Sequence, residues 1–178
     1  MGWTPVGRRE GAGAPRNAER ICPEPSAGNG ATFTARLYTG GLHGNLPDSM
    51  RKVIATSEAP TAVGPYSQAI AVGGTLYCAG QIPLDPQTGE LVAGGVAEQT
   101  TRVLENVGGV LRANGMTYQH VVKATVFMTN LAHFGEMNAV YERFFAAPYP
   151  ARSTIQVAGL PRGAQVEIEV IAVADASA

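Results

Sequence analysis

The chain has 178 residues, 45% of them apolar and 15% charged, with a formal net charge of -1. That length sets a prior of one domain with room for a sizeable core. So even a charge balance gives no strong pull toward nucleic acid or an anionic membrane, and no apolar run approaches the ~20 residues that a membrane span needs.

The first 49 residues hold nine Gly and five Pro and show no helical or strand periodicity. Such a composition is typical of low-complexity segments. Five arginines there face four acids, too many acids for a transit peptide, and no apolar h-region of a secretory signal is present. Residues 1–49 are therefore expected to be a disordered extension, the alternative being a targeting or partner-binding tail. Met50, followed by Arg51-Lys52-Val53-Ile54, reads as a natural start, so the domain is expected over 50–178. It carries 8 of the chain's 13 basic residues and 10 of its 14 acids. Cys22 and Cys78 have no CxxC partner, and His43, His120 and His133 lack metal-ligand spacing. A cytoplasmic, metal-free protein is the simplest expectation.

Within the domain a short strand is expected over Lys52–Ala55. Runs over Tyr66–Val72 and Thr75–Ile82 read as two strands joined by Gly73-Gly74, the kind of two-residue turn that hairpins prefer. Pro83 to Gly89 is a turn-rich loop. Val96, Thr100, Val103, Leu104, Val107, Val110 and Leu111 are spaced at three and four, which predicts an amphipathic helix stopped by Asn114-Gly115. Gly108-Gly109 inside it costs about 1 kcal/mol per glycine relative to alanine, and a close helix–sheet approach would explain the choice. His120–Met128 is a β-branched and apolar strand. Asn130 is placed to cap a second helix reaching about Phe145, with Phe134, Met137, Val140, Tyr141 and Phe144 inward. Strands over Arg152–Val157 and Val166–Val173 complete the order. This predicts an α+β fold, a mixed six-stranded sheet with both helices on one face. The other face then needs cover, which points to a homo-oligomer.

Arg152 lies on a predicted strand just after Pro150, and Glu167 and Glu169 alternate on another. A guanidinium fork matches a carboxylate bidentately, and a buried carboxylate can activate water. An arginine and a carboxylate on neighbouring strands would make a small anion-binding and acid/base site. Equally, Arg152 reads as a surface residue or as half of a structural ion pair with Glu167, and the glutamates as solvated. Asn138 on the second helix reads as solvent-facing and Tyr66 as a core aromatic. Gly80, at a strand end, marks a close approach of backbone to a ligand.

Six motifs combine these residues: Gly64-Pro65-Tyr66-Ser67-Gln68-Ala69, Ala79-Gly80-Gln81-Ile82-Pro83, Lys123-Ala124-Thr125-Val126-Phe127, Asn138-Ala139-Val140-Tyr141, Pro150-Ala151-Arg152-Ser153 and Val166-Glu167-Ile168-Glu169. In order and spacing the domain resembles the RidA proteins, the enamine/imine deaminases of the YjgF-type superfamily. The resemblance runs from Met50 to about Asp175. It implies a chorismate-mutase-like fold and a homotrimer whose sheets form a central barrel. It also implies hydrolysis of 2-imino acids such as 2-iminobutanoate and 2-iminopropanoate to 2-oxo acids and ammonia, protecting pyridoxal-phosphate enzymes. Arg152 would bind the substrate carboxylate and Glu167 would activate the water. Tyr66, Asn138 and Thr154 would line the pocket, and the Gly80 backbone would add a polar contact. No cofactor, metal or nucleic acid is implied. Burial and a nearby arginine should act on the Glu167 carboxyl in opposite directions.

Two positions depart from many relatives: Ala79 stands where they have Ser, and Thr154 where they have Cys. Both leave the Arg/Glu pair intact and put substrate preference in question. A small-carboxylate-binding or chaperone-like module on the same scaffold, or an RNA-cleaving enzyme, is the alternative reading.

Overall fold

The computed structural model describes residues 50–175, so the expectation for residues 1–49 lies outside it. Six strands, β1 (Arg51–Ile54), β2 (Ala69–Val72), β3 (Thr75–Gln81), β4 (Val121–Met128), β5 (Ala151–Gln156) and β6 (Val166–Val173), form one sheet in the order β1-β2-β3-β6-β4-β5. Only β4 and β5 pair in parallel; the other neighbours are antiparallel. Helices α1 (Val96–Ala113) and α2 (Phe134–Phe144) supply the second layer. This is the expected mixed six-stranded sheet with two helices.

Local chemistry explains the elements. Gly73 and Gly74 both take positive φ, 55° and 82°, which sets the tight β2–β3 hairpin with Val72 opposite Thr75. Tyr66 stays outside β2, in a turn where its N–H donates to the Gly64 carbonyl. Glu98 accepts from the Gly95 N–H at the start of α1. At its end Gly115 (φ 70°) closes a Schellman motif: Met116 N–H reaches the Leu111 carbonyl and Gly115 N–H that of Arg112. Asn130 does accept a backbone N–H, from Ala132, but it caps a 3₁₀ turn over Leu131–His133 that leads into α2.

Two inward-facing expectations need correction. Phe134 is exposed and Phe144 only half-buried, because the buried stripe of α2 is narrower: Met137, Val140 and Tyr141. The α1 glycines do mark close approaches, but not to the sheet. A Cβ at Gly109 would sit 2.7 Å from the Glu58 carbonyl oxygen, and one at Gly108 would meet the Tyr118 side chain. Tyr118 in turn donates its hydroxyl to the Leu104 carbonyl.

Cross-strand rows define the two faces. On the helix-covered face, Ile54, Ala69, Cys78, Val170, Ala124 and Arg152 follow one another in register across the whole sheet. The first five are buried. On the opposite face one row runs Val53, Ile70, Tyr77, Ile171, Lys123, Ala151, and another runs Glu167, Phe127, Ile155. Exposed Val53, Tyr77 and Ile155 belong to these rows. No helix among the described residues is long and apolar enough to cross a membrane.

Candidate active site

Arg152 ends an apolar row, and the surroundings it meets there are aromatic. Its guanidinium donates to Asn138 Oδ1 at 2.8 Å and lies 4.5 Å from the centre of the Tyr141 ring and 5.5 Å from that of Phe134. Asn138 is thus not solvent-facing. It sits three residues before Tyr141 on the same helix face, so one turn of α2 carries both contacts. Tyr141 stacks on Phe145, and burial pushes its hydroxyl pKa up to about 12 despite the nearby Arg152 charge. Among the described residues Arg152 has no carboxylate partner. It opens on a cavity of about 310 Å³ that it lines with Asn138, Tyr141, Glu142, Tyr149 and Pro150. A guanidinium held from one side by a ring and an amide keeps donors free for an incoming carboxylate.

Glu167 lies elsewhere. Strand β4 separates β6 from β5, and alternation along β6 buries Val166 and Ile168 while turning Glu167 to the opposite face. The expectation of neighbouring strands is therefore corrected: within one chain Arg152 and Glu167 form neither a shared site nor an ion pair. Glu167 shares a cavity of about 460 Å³ with Tyr66, Gln68, Gly80, Pro161 and Arg162.

Gly80 explains how Glu167 is held. A β-bulge between Cys78 and Gln81 shifts the β3–β6 register, and a Cβ at Gly80 would collide with the Glu167 carboxyl, 2.8 Å from Cδ. The close approach read at this glycine is thus to Glu167. Burial pushes the Glu167 carboxyl above the ordinary value of 4.5, and the like charge of Glu169 adds to it. Arg152, the arginine expected to oppose this shift, lies on the other face, and burial and Glu169 act in the same direction.

Tyr66, read from the sequence as a core aromatic, is 54% exposed at the rim of the Glu167 cavity. Thr154 lies two residues beyond Arg152 on the helix-covered face, paired with Val126. The six expected site residues therefore divide into two groups: Arg152, Asn138 and Thr154 on one face, Glu167, Gly80 and Tyr66 on the other. Sequence reading missed Tyr141, whose spacing from Asn138 was the available signal. It also missed Gln68 and Arg162, for which neither periodicity nor composition gave one. Cys78 is a buried free thiol with its pKa raised to about 12, which makes it inert as a nucleophile.

The family described as Endoribonuclease L-PSP matches residues 56–174. This chain belongs to that family. The family is that of the RidA/YjgF proteins, as the motifs indicate. A mouse protein named 2-iminobutanoate/2-iminopropanoate deaminase is 50% identical over 124 residues, which cover 70% of this chain and 92% of that one. Among solved structures, RidA from an Antarctic Psychrobacter is 44% identical with a TM-score of 0.67, covering 68% of this chain and 98% of its own. Escherichia coli TdcF with bound serine is 46% identical with a TM-score of 0.66 and the same coverage. These family members share the sheet and helices described above.

Proposed function

We propose that this chain is a hydrolytic deaminase of small 2-imino acids, 2-iminobutanoate and 2-iminopropanoate among them, acting in the cytoplasm and sparing pyridoxal-phosphate enzymes from these intermediates. The mouse relative of that name, identical at half its aligned positions, supports the activity. In this reading Arg152 binds the substrate carboxylate through its free donors. Glu167 takes a proton from water as the oxygen attacks the C=N carbon. That proton passes to the imine nitrogen, the new hydroxyl then gives up the second, and as the C–N bond breaks ammonia leaves with both water protons while the 2-oxo acid keeps the oxygen. Tyr66, Gly80, Asn138 and Thr154 line the site, with Asn138 steadying the arginine.

The observation that carries the reading further is the opposite placement of Arg152 and Glu167. A site that uses both needs the Arg152 face of one copy against the Glu167 face of another. Such a contact is heterologous, and it closes into a ring where the rotation between copies completes a full turn. We read that ring as the homotrimer with a central chorismate-mutase-like barrel. The exposed apolar row through Val53 and Tyr77 supports burial of the helix-free face between copies.

The test is an assay coupled to a threonine dehydratase that releases 2-iminobutanoate. Wild type should speed 2-oxobutanoate formation, and Arg152→Ala and Glu167→Gln should not. Equal rates with and without the wild-type chain would refute the activity.

A further inference from the structure

We propose that Gln68 is a positioning residue of this site, clamping the Thr56–Pro60 segment, Tyr66 and the Ala79–Gly80 end of β3 into one wall of the cavity that holds Glu167. Gln68 is 4% exposed, yet its amide is fully engaged. Its Oε1 accepts the Thr56 N–H at 2.7 Å, and its Nε2 faces the carbonyls of Thr56, Ala59 and Pro60 at 3.0, 3.2 and 2.7 Å. Its own carbonyl accepts the Ala79 N–H at 3.0 Å, one residue before the glycine on which Glu167 rests. Tyr66 is two residues upstream, and Ala69, just downstream, enters β2 opposite Cys78. The side-chain amide thus ties the Thr56–Pro60 segment, and the backbone carbonyl of the same residue ties β3, beside a single cavity lined by Pro60, Tyr66, Gly80 and Glu167.

An amide that only satisfied a loop would have no reason to sit where the loop, the rim tyrosine and the catalytic candidate converge. In this proposal the held segment, which lines the cavity through Pro60, limits water at Glu167. This is the condition under which burial raises the Glu167 carboxyl. The charged and titratable groups around that carboxyl are Glu169 on its own strand and Tyr66 and Arg162 on the lining loops. Facing it, β3 contributes Gly80 and β4 Phe127, neither titratable.

The experiment compares the full wild-type chain with Gln68→Met, which keeps the length and removes every side-chain hydrogen bond. Should that variant not fold, Gln68→Asn, one methylene short of the segment, takes its place. Amide exchange at Thr56 should accelerate at least about tenfold. The Glu167 midpoint, read by carboxyl carbon NMR, should fall toward 4.5. Faster exchange with an unmoved midpoint would make Gln68 a structural residue only and overturn the proposal. Glu58→Gln, which loosens the exposed tie of the same segment to Arg112, should leave the midpoint in place; an equal fall would overturn the assignment to Gln68. The kinetic arm rests on the deaminase reading. The acid limb of kcat/KM should follow the NMR midpoint, and a limb that stays put while the midpoint moves would uphold the clamp and sink Glu167 as the base.

Discussion

Arg152 is the residue whose surroundings most constrain its use. It has aromatic and amide support but no anionic partner among the described residues, so its charge is available to a ligand. Hydrogen bonds to charged groups are worth about 1.5–3 kcal/mol, roughly 10- to 100-fold in affinity. Arg152→Lys, which keeps the charge without the fork, should therefore raise KM within that range, while Arg152→Ala should show no turnover. Saturation kinetics on the two variants check this. Tyr141→Leu should also raise KM, while Tyr141→Phe, which keeps the ring under the guanidinium, should not; steady-state assays on that pair separate ring from hydroxyl. Glu169 gives a pH prediction. Its like charge is the second cause that lifts Glu167, after burial. Glu169→Gln removes that repulsion, favours the ionised carboxyl and should move the acid limb of kcat/KM to lower pH. A pH–rate profile that keeps its midpoint would exclude the coupling.

Among the elements, α1 shows where propensity yields to packing. Gly→Ala in a helix ordinarily gains about 0.5–1 kcal/mol. At Gly109 the added carbon would press on the Glu58 carbonyl, a backbone atom that cannot swing aside. Overpacking costs about 1–3 kcal/mol, so Gly109→Ala should be net destabilising, as urea unfolding would show. Periodicity made α1 readable: Val103, Leu104, Val107, Val110 and Leu111 are all fully buried. It did not say what Gly109 approaches, because that partner, Glu58, lies about fifty residues away in sequence. The strand alternation in Val166–Val173 was equally readable, while the order of strands was not. β4 inserts between β5 and β6 only because the α2 crossover sets β5 parallel beside it. This one insertion parts β5 from β6, and the pairing register then sets Arg152 and Glu167 on separate faces.

At the scale of the molecule, motif residues named both groups without revealing that they lie on separate faces. Asn138 and Arg152 lie within one α2–β5 stretch, so their meeting is local. Tyr66, Gly80 and Glu167 come together across about a hundred residues, and no spacing rule reaches that far. If each site takes Arg152 from one copy and Glu167 from the next, two inactive variants should rescue each other. Refolding Arg152→Ala with Glu167→Gln in equal amounts should restore about a quarter of the wild-type sites in a closed ring. Size-exclusion chromatography and the coupled assay on the mixture decide it, and an inactive mixed oligomer would return the site to a single chain.

If neighbouring copies share each site, the placement of Arg152 and Glu167 on opposite faces also governs dominance. In a mixed ring, a chain lacking either residue alone silences one site, so activity should fall in proportion to the wild-type share. A chain lacking both silences a site on each side of itself. Activity should then fall as the square of that share, so a doubly altered chain would harm a mixed population more than either single change.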